Sequence, residues 1–527
     1  MPSLRSIVAA VLVCLLAACK AGPNFVAPHE PTPPAYAGAS DEAAGSESPR
    51  AAGEQAPDSF WWRQFHDAEL DRLEDRTASG NLDLKSAYLR IVEARIEVQS
   101  ARAQGLPSLN AAASFEREQL GIAGILKSQG ITPGATSAST QALISSIERP
   151  INIYQLGFDA SWELDLFGKV RRSVEAADAQ STAAAESRND LLVSLEAEVA
   201  QTYLQLRAGQ MLRQITLGLV SDQKEIVDLT INRQLHGLNS EGDVESARGQ
   251  LSNLESQLPQ YEQTIAMSRH ALAVLSGQPP EALDSEFGET GVLPDLPAVV
   301  PVGLPSTLAR RRPDIRNSEA ALHAATAQVG VSVASMFPDV SLSGTYGLRN
   351  TGTGFLFNWS SRFYTFGPSI SVPIFHGGAL VANVRLSRTE AAAAALSYRK
   401  TVLNALQEIE DGLTGLHEDA QRCSALRETV AADQRALDID VDSFRHGLVN
   451  YITVLTVQLQ TVQARQQLAQ ALLTQATDLV KLYKALGGGW EGTPDAARPA
   501  VAPRAGRNSP ARESAPGVLL LQDKAQS

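Results

Sequence analysis

The chain is short of the residues that most functional classes need. It has three cysteines among 527 residues, four methionines and five tryptophans, and aromatics make up 6%. So few cysteines exclude the disulfide framework of a small secreted scaffold. Lysine and arginine number 45 against 58 aspartates and glutamates, and no basic block stands out, which argues against nucleic acid as a partner. There is no HExxH, no GxSxG and no P-loop, and the eight histidines are scattered, so no enzyme class is indicated. Beyond the N-terminal segment no window has the run of about twenty apolar residues that a spanning helix requires. If the chain crosses a membrane, it does so with strands.

The N-terminus carries a targeting pattern. Arg5 supplies a positive start, Ile7 to Leu16 an apolar stretch, and Leu16-Ala17-Ala18-Cys19 places small residues before a cysteine. This resembles the bacterial lipobox, so residues 1–18 read as a lipoprotein signal. Cys19 is then the new N-terminus, carrying a diacylglycerol and an N-acyl chain; no other cofactor and no metal is expected. Lys20, where an aspartate would signal retention, implies export to the outer membrane. One acylated terminus anchors a chain without spanning anything. Cys14 leaves with the signal. Cys423 falls on the seam Ile409, Leu413, Leu416, Ala420, Cys423 and reads as a small core residue.

Residues 19–58, rich in Pro, Ala, Gly and Ser, read as an extended tether. From Trp61-Trp62 the chain reads as two structural repeats, 59–280 and 306–490, separated by a Pro-rich linker, 281–305, and followed by a disordered tail, 491–527. In each repeat a helix is broken by a Pro-marked step (Leu106-Pro107, Phe337-Pro338). Two strands follow, at about 108–117 and 154–166 and again at 338–349 and 364–374. Phe158, Ala160, Trp162, Leu164 and Leu166 alternate with Asp159, Ser161, Glu163 and Asp165, a strand with one apolar and one polar face. Each second strand runs into a very long helix, 169–236 and 380–446, that turns at His-Gly-Leu and returns, 241–276 and 450–486. Steps of three and four along these helices are coiled-coil spacing. The second repeat's first helix is expected over 306–335.

Four strands cannot close a membrane barrel, since the smallest single-chain barrels have about eight. Self-association is the simplest supply of more strands. Three chains give twelve strands above a tube of long helices, although the physics alone does not fix the number at three.

The sequence is identified by its motifs as similar to the TolC-like outer-membrane efflux ducts of Gram-negative bacteria, in their lipoprotein branch. The resemblance is carried by Cys19-Lys20-Ala21-Gly22-Pro23-Asn24-Phe25, Trp61-Trp62, SWELDLFGKVRR at Ser161–Arg172, LPSTLARRRPDIRNSEAAL at Leu304–Leu322, FPDVSLSG at Phe337–Gly344, SVPIFHGG at Ser371–Gly378 and YKALGGGW at Tyr483–Trp490. It implies an α+β membrane protein, a homotrimer whose twelve-stranded β-barrel, four strands per chain, continues into a long periplasmic α-helical barrel. It further implies a passive channel, not an enzyme, passing drugs, toxic compounds or metals outward from the periplasm. The implied partners are a periplasmic adaptor (membrane fusion) protein, an inner-membrane RND-type pump and outer-membrane lipid. The alternatives are a type I protein secretion duct and a structural periplasmic lipoprotein without a pore.

By the same resemblance the hairpin tips, Arg233 to Ala247 and Ser443 to Gln458, close the duct and meet the adaptor. Gly237, Leu238, Gly447, Leu448, Thr453 and Thr456 are the candidate tip residues. Thr453 and Thr456 are neutral where members of the resembling family often carry acids, a departure from the carboxylate ring that the resemblance would imply. Glu241, Asp243, Glu245, Asp438, Asp440 and Asp442 are the nearby acids, and His236 and His446 repeat at the two tips. Arg310-Arg311-Arg312-Pro313-Asp314 reads as a structural ion-pair segment. Trp162 and Leu164 are expected outward, with Glu163 and Asp165 toward the lumen or the barrel's rim.

Overall fold

The computed structural model of the chain describes residues 20–28, 30–39, 50–52, 58–119, 128 and 150–491. Residues 1–19, with the expected signal and Cys19, most of the loop between the first two strands and the tail from residue 492 lie outside the described residues.

Helices dominate. After a short helical turn at Trp61–Phe65 come α1 (Ala68–Gly80) and α2 (Leu82–Ala103). The side chain of Asp67 accepts from the first backbone N–H groups of α1, and Asn81 does the same for α2. The long helix α3 (Lys169–Leu235) has 67 residues and its return α4 (Glu241–Leu275) has 35. The second repeat has α5 (Pro313–Ala334), then α6 (Ala379–Arg445) of 67 residues and α7 (Tyr451–Ala485) of 35. Equal lengths and a constant spacing between Lys169 and Ala379, and between Glu241 and Tyr451, make the duplication residue-for-residue along both hairpins. At a rise of about 1.5 Å per residue each long helix is a rod of roughly 100 Å. The seam Leu192, Leu195, Val199, Leu206, Leu219 and Ile226 is buried, as the spacing requires. One asymmetry breaks the match. Pro259 lies inside α4, whereas the matching position in α7 is Ala469.

Four strands form an antiparallel sheet in the order β2 (Ser108–Glu118), β3 (Ile151–Leu164), β5 (Asp339–Asn350), β6 (Arg362–Ser371). The register stacks like on like across the strands. Ala111, Phe158, Tyr346 and Tyr364 share one level of one face, while Asn110, Asp159, Thr345 and Thr365 share the other face. Thr345 donates to Asp159 at 2.9 Å, and Arg349 donates to Gln155 at 2.9 and 2.6 Å, so the polar face is cross-linked by its own side chains. Trp162 and Leu164 fall on the apolar face and Glu163 on the polar one. Asp165 does not continue the strand. It lies between β3 and α3 and accepts from the backbone N–H groups of Val170 and Arg171 at 3.2 and 2.9 Å, capping the long helix. Gly168 precedes α3 with no side chain to cap it, and the acid three residues upstream takes that place.

The main core lies at mid-height, where the N-terminal, linker and C-terminal segments meet the helices. Trp61, Phe65, Leu70, Tyr203, Leu272 and Tyr483 are buried together, with Trp61 stacked on Tyr483 at 5.1 Å. Each such ring contributes about 2–3 kcal/mol by burial.

Three expectations are corrected here. The segment after Cys19 is not a free tether. Phe25 stacks on His323 at 4.3 Å, Tyr36 is buried, and the Ala37 and Gly38 amides donate to Glu410 at 2.8 and 3.0 Å. Further on, β1 (Arg50–Ala52) pairs in parallel with β4 (Val299–Pro301). The described residues of the segment form a strap along the helices. The linker is likewise folded, with Leu283 and Phe287 buried. The helix expected over 306–335 is broken. A one-turn helix, Leu308–Arg311, stops at Arg312, whose extended backbone is what a following proline favours. Arg312 is largely buried and pairs with Asp314 at 2.8 Å and Glu408 at 2.7 Å, and donates to the Ala485 carbonyl at 2.8 Å. The Arg310–Asp314 run thus ties α5 to α6 and to the end of α7.

Glu74 on α1 is fully buried with neither carboxylate oxygen hydrogen-bonded among the described residues. Burial, then the nearby charge of Glu196, pushes its carboxyl well above the usual range. The folded chain therefore holds a proton that the unfolded chain releases at about pH 4.3. Stability falls as pH rises from there through the raised folded value. Glu74→Gln is expected to raise the thermal midpoint at pH 7.5 and to leave it unchanged near pH 4, as followed by circular dichroism.

Candidate functional site

The two ends of the long hairpins are built differently. At the strand–helix junction the strap returns to meet α3. Arg172 is buried and donates to the carbonyls of Ala21 and Gly22 at 3.1 and 3.4 Å, to Asn24 at 2.8 Å and to Glu175 at 2.9 Å. Lys20 pairs with the same Glu175 at 3.2 Å, and His323 approaches it at 3.3 Å. Partial burial pulls the Glu175 carboxyl up, but hydrogen bonds from Lys20, His323 and Arg172 outweigh it and hold the group below its ordinary value. The residue that follows Cys19 is thereby fixed at the level where the sheet ends. Trp162 donates its indole N–H to the Gly105 carbonyl at 2.9 Å, closing the α2–β2 turn against the sheet.

The other end is the pair of hairpin tips. Each turn is closed in the same way. Gly237 and Gly447 adopt φ of 71° and 75°, a left-handed backbone that glycine takes without strain. Leu238 N–H then reaches back to the Arg233 carbonyl at 2.8 Å, and Leu448 N–H to the Ser443 carbonyl at 2.9 Å. Both leucines project from the apex, 65% and 77% exposed. Leu235 and Ile452 extend this exposed apolar rim.

Behind the rim the two hairpins are joined. Arg233, near the end of α3, donates to Asn239 in its own turn at 2.9 Å and to the Phe444 carbonyl of α6 at 2.7 Å. Its guanidinium also lies over the Phe444 ring at 4.6 Å. A cation at the C-terminal end of α6 is favoured by the helix dipole as well. Ile226, Val227, Ala247, Phe444, Tyr451 and Val454 form a small buried core beneath it. Below that, Gln458 donates to Gln223 at 2.6 Å, and Gln223 donates to the Ala247 carbonyl at 2.8 Å, a buried polar bridge between the hairpins.

Thr453 and Thr456 have their hydroxyls engaged within α7. Thr453 donates to Asn450 at 3.0 Å and Thr456 to the Ile452 carbonyl at 2.8 Å. Among the acids, Asp243 is bound up in a capping box with Ser240, and Glu245 pairs with Arg248 at 2.8 Å. His236 and His446 are presented alike. Each Nδ1 contacts the carbonyl one turn back, Asn232 at 2.7 Å and Asp442 at 2.8 Å. Sequence spacing singled out the turn glycines and leucines but missed Arg233, Phe444 and the glutamine bridge. Arg172 ends the SWELDLFGKVRR motif, whose pattern gives it no role. The local signal for Arg233 was a cation in the last turn before a glycine, which by itself indicates only a helix end.

Residues 73–278 and 304–488 match the model of a family described as outer membrane efflux protein. The chain is 31% identical over 486 residues to nodulation protein T of Rhizobium leguminosarum bv. viciae, covering 92% of this chain and 93% of that protein. It is 31% identical over 489 residues to the antibiotic efflux pump outer membrane protein ArpC of Pseudomonas putida, covering 91% and 95%. Among solved structures, the outer-membrane channel OprN superimposes with a TM-score of 0.78 at 32% identity, over 90% of this chain and all of that one. The open state of the Neisseria gonorrhoeae MtrE outer membrane channel superimposes with a TM-score of 0.71 at 26% identity, over 90% and 99%.

Proposed function

The chain belongs to the outer membrane efflux protein family and is a passive outer-membrane efflux channel, and on that footing we propose how it is assembled and coupled. Three copies close a twelve-stranded barrel through the free edges of β2 and β6. The long hairpins continue it as a helical tube into the periplasm. Energy comes from an inner-membrane pump of the RND type, reached through a periplasmic adaptor that seats on the exposed leucines at the hairpin tips. Cys19 is acylated, and Lys20 and Arg172 hold that anchor at the membrane interface. The cargo is small molecules, drugs, toxic compounds or metals.

The observation that carries this reading is the sheet. Among the described residues it has four strands, two unpaired edges, and one apolar face that extends across every strand. Such a sheet cannot stand alone in water or lipid and is completed by further copies. Purified oligomer in a planar bilayer is expected to conduct, in steps. Asp159→Cys is expected to react with a membrane-impermeant thiol reagent, and Phe158→Cys not. A silent oligomer, or the reverse labelling pattern, would overturn the barrel.

Acylation is tested by mass measurement of the mature N-terminal peptide against Cys19→Ala. The cargo is tested by deletion and susceptibility to drugs, solvents and metals.

A further inference from the structure

The apolar face of the sheet carries no carboxylate among the described residues. The acids of the strands, Glu116, Glu118, Asp159, Glu163 and Asp339, all fall on the opposite face by register. Two charges remain on the apolar side, and both are arginines. Arg117 is level with Asn152, one step above Phe115 and Tyr154. Arg362 is level with Leu348. Both are exposed. Both stand at the end of the sheet away from the helices, since β3 enters α3 from its other end.

The depth of Arg362 follows from the ladder; it is level with Leu156 and Ala113, and Arg117 stands four residues further from the helices along β2. From the level of Ile370 to that of Arg362 is eight residues, about 27 Å along a strand and roughly 20 Å along the membrane normal at the usual tilt. The intervening face holds Phe366, Tyr364, Tyr346 and Phe158, all exposed. Phe355, Phe357 and Trp359 crowd the short connection beside Arg362, more than 60% exposed. That is the aromatic belt of a headgroup region. The Arg362 guanidinium lies over the Trp359 ring at 4.1 Å. Neither arginine forms an ion pair among the described residues, and an arginine facing hydrocarbon costs about 2–4 kcal/mol at the midplane. At the outer edge of the band, an anionic headgroup is the partner that such a cation selects.

Arg117 is on β2 and Arg362 on β6, the two edge strands. Barrel closure sets β6 of one copy against β2 of the next. We infer that each seam between protomers presents Arg362 of one copy and Arg117 of its neighbour as a binding site for the phosphate groups of an outer-leaflet lipid headgroup. The site rests on the trimeric barrel proposed above. It has one apolar wall for acyl chains and two guanidinium groups for phosphate.

The test uses the full-length oligomer in detergent, with a bisphosphorylated glycolipid and its dephosphorylated form as probes. Bound lipid is counted by native mass spectrometry. The phosphorylated lipid is expected to bind more tightly. Arg362→Gln and Arg117→Gln are each expected to weaken it about fivefold, and Arg362→Lys less. Arg349→Gln, a cation removed from the opposite face, is expected to change nothing. Equal binding of the two lipids to the unaltered protein overturns the site, and needs no variant to fold. Loss in the Arg349 variant equal to that in the Arg362 variant also overturns it. Conductance of the same preparations reports on the barrel separately, so a failed barrel and a failed lipid site give different results.

Discussion

Replacing Arg233 by alanine is expected to raise the fraction of time the duct conducts by about tenfold. Arg233 bonds both its own turn, at Asn239, and the backbone of the neighbouring hairpin, at the Phe444 carbonyl. A hydrogen bond from a charged group contributes about 1.5–3 kcal/mol. The guanidinium is only partly buried, so the low end applies, and 1.4 kcal/mol corresponds to about a factor of ten. The core of Phe444, Tyr451 and Val454 and the Gln223–Gln458 bridge remain, so the tips loosen without unfolding. Arg233→Lys keeps the charge but cannot reach both acceptors with a fork, and should fall between. Single-channel recording measures the open fraction directly. Uptake of a bulky antibiotic by cells expressing the variant gives a second reading. An open fraction within twofold of the parent would remove Arg233 from the closure.

The second large effect is expected at the junction. Arg172→Ala should cost about 3 kcal/mol of stability. The side chain is 1% exposed and satisfies two strap carbonyls, Asn24 and Glu175. Removing it leaves those acceptors without their donor. Lys20 and His323 still flank Glu175, which is why the cost is at the low end for a buried pair. Glu175 is held below its ordinary pKa, so its contribution is present above about pH 4.3 and is lost as pH falls through the depressed folded value. The gap between parent and variant therefore narrows on acidification. Gly330 gives an independent route to the same lock. A Cβ there would lie 2.7 Å from Arg172 Cδ and 2.5 Å separates the Gly330 Cα from a Cβ built on Gly22, so Gly330→Val should also displace the strap. Thermal melting of the oligomer, with limited proteolysis of the strap, checks both. A protease-resistant strap in Arg172→Ala would show that the lock lies elsewhere.

The strands and hairpins were legible because their signals are local. Period-two alternation from Phe158 to Leu164 and steps of three and four along Leu192 to Ile226 survive without knowledge of any partner. The turn glycines were legible for the same reason. What sequence could not give is held by distant residues. Arg233 and Phe444 are separated by 211 positions, and Gln223 and Gln458 by 235. The strap read as a tether because its composition lacks periodicity. Its order is imposed by Arg172, Glu410 and His323, none of which belongs to it. Asp165 read as the last polar residue of a strand, since alternation continues through it. Only the geometry of the α3 start distinguishes a cap from a rim residue.

Pro259 has a consequence for symmetry. With three copies and two hairpins each, whose turns share one backbone geometry, the mouth presents six tips. The helices behind those tips are not alike. α4 lacks the N–H at Pro259 that would bond the Glu255 carbonyl, so its ladder is interrupted on an exposed face, whereas α7 runs unbroken through Ala469. Compliant and stiff stems therefore alternate around the ring. A partner with sixfold repetition meets six turns of one backbone shape on two kinds of stem, so the mouth has threefold symmetry.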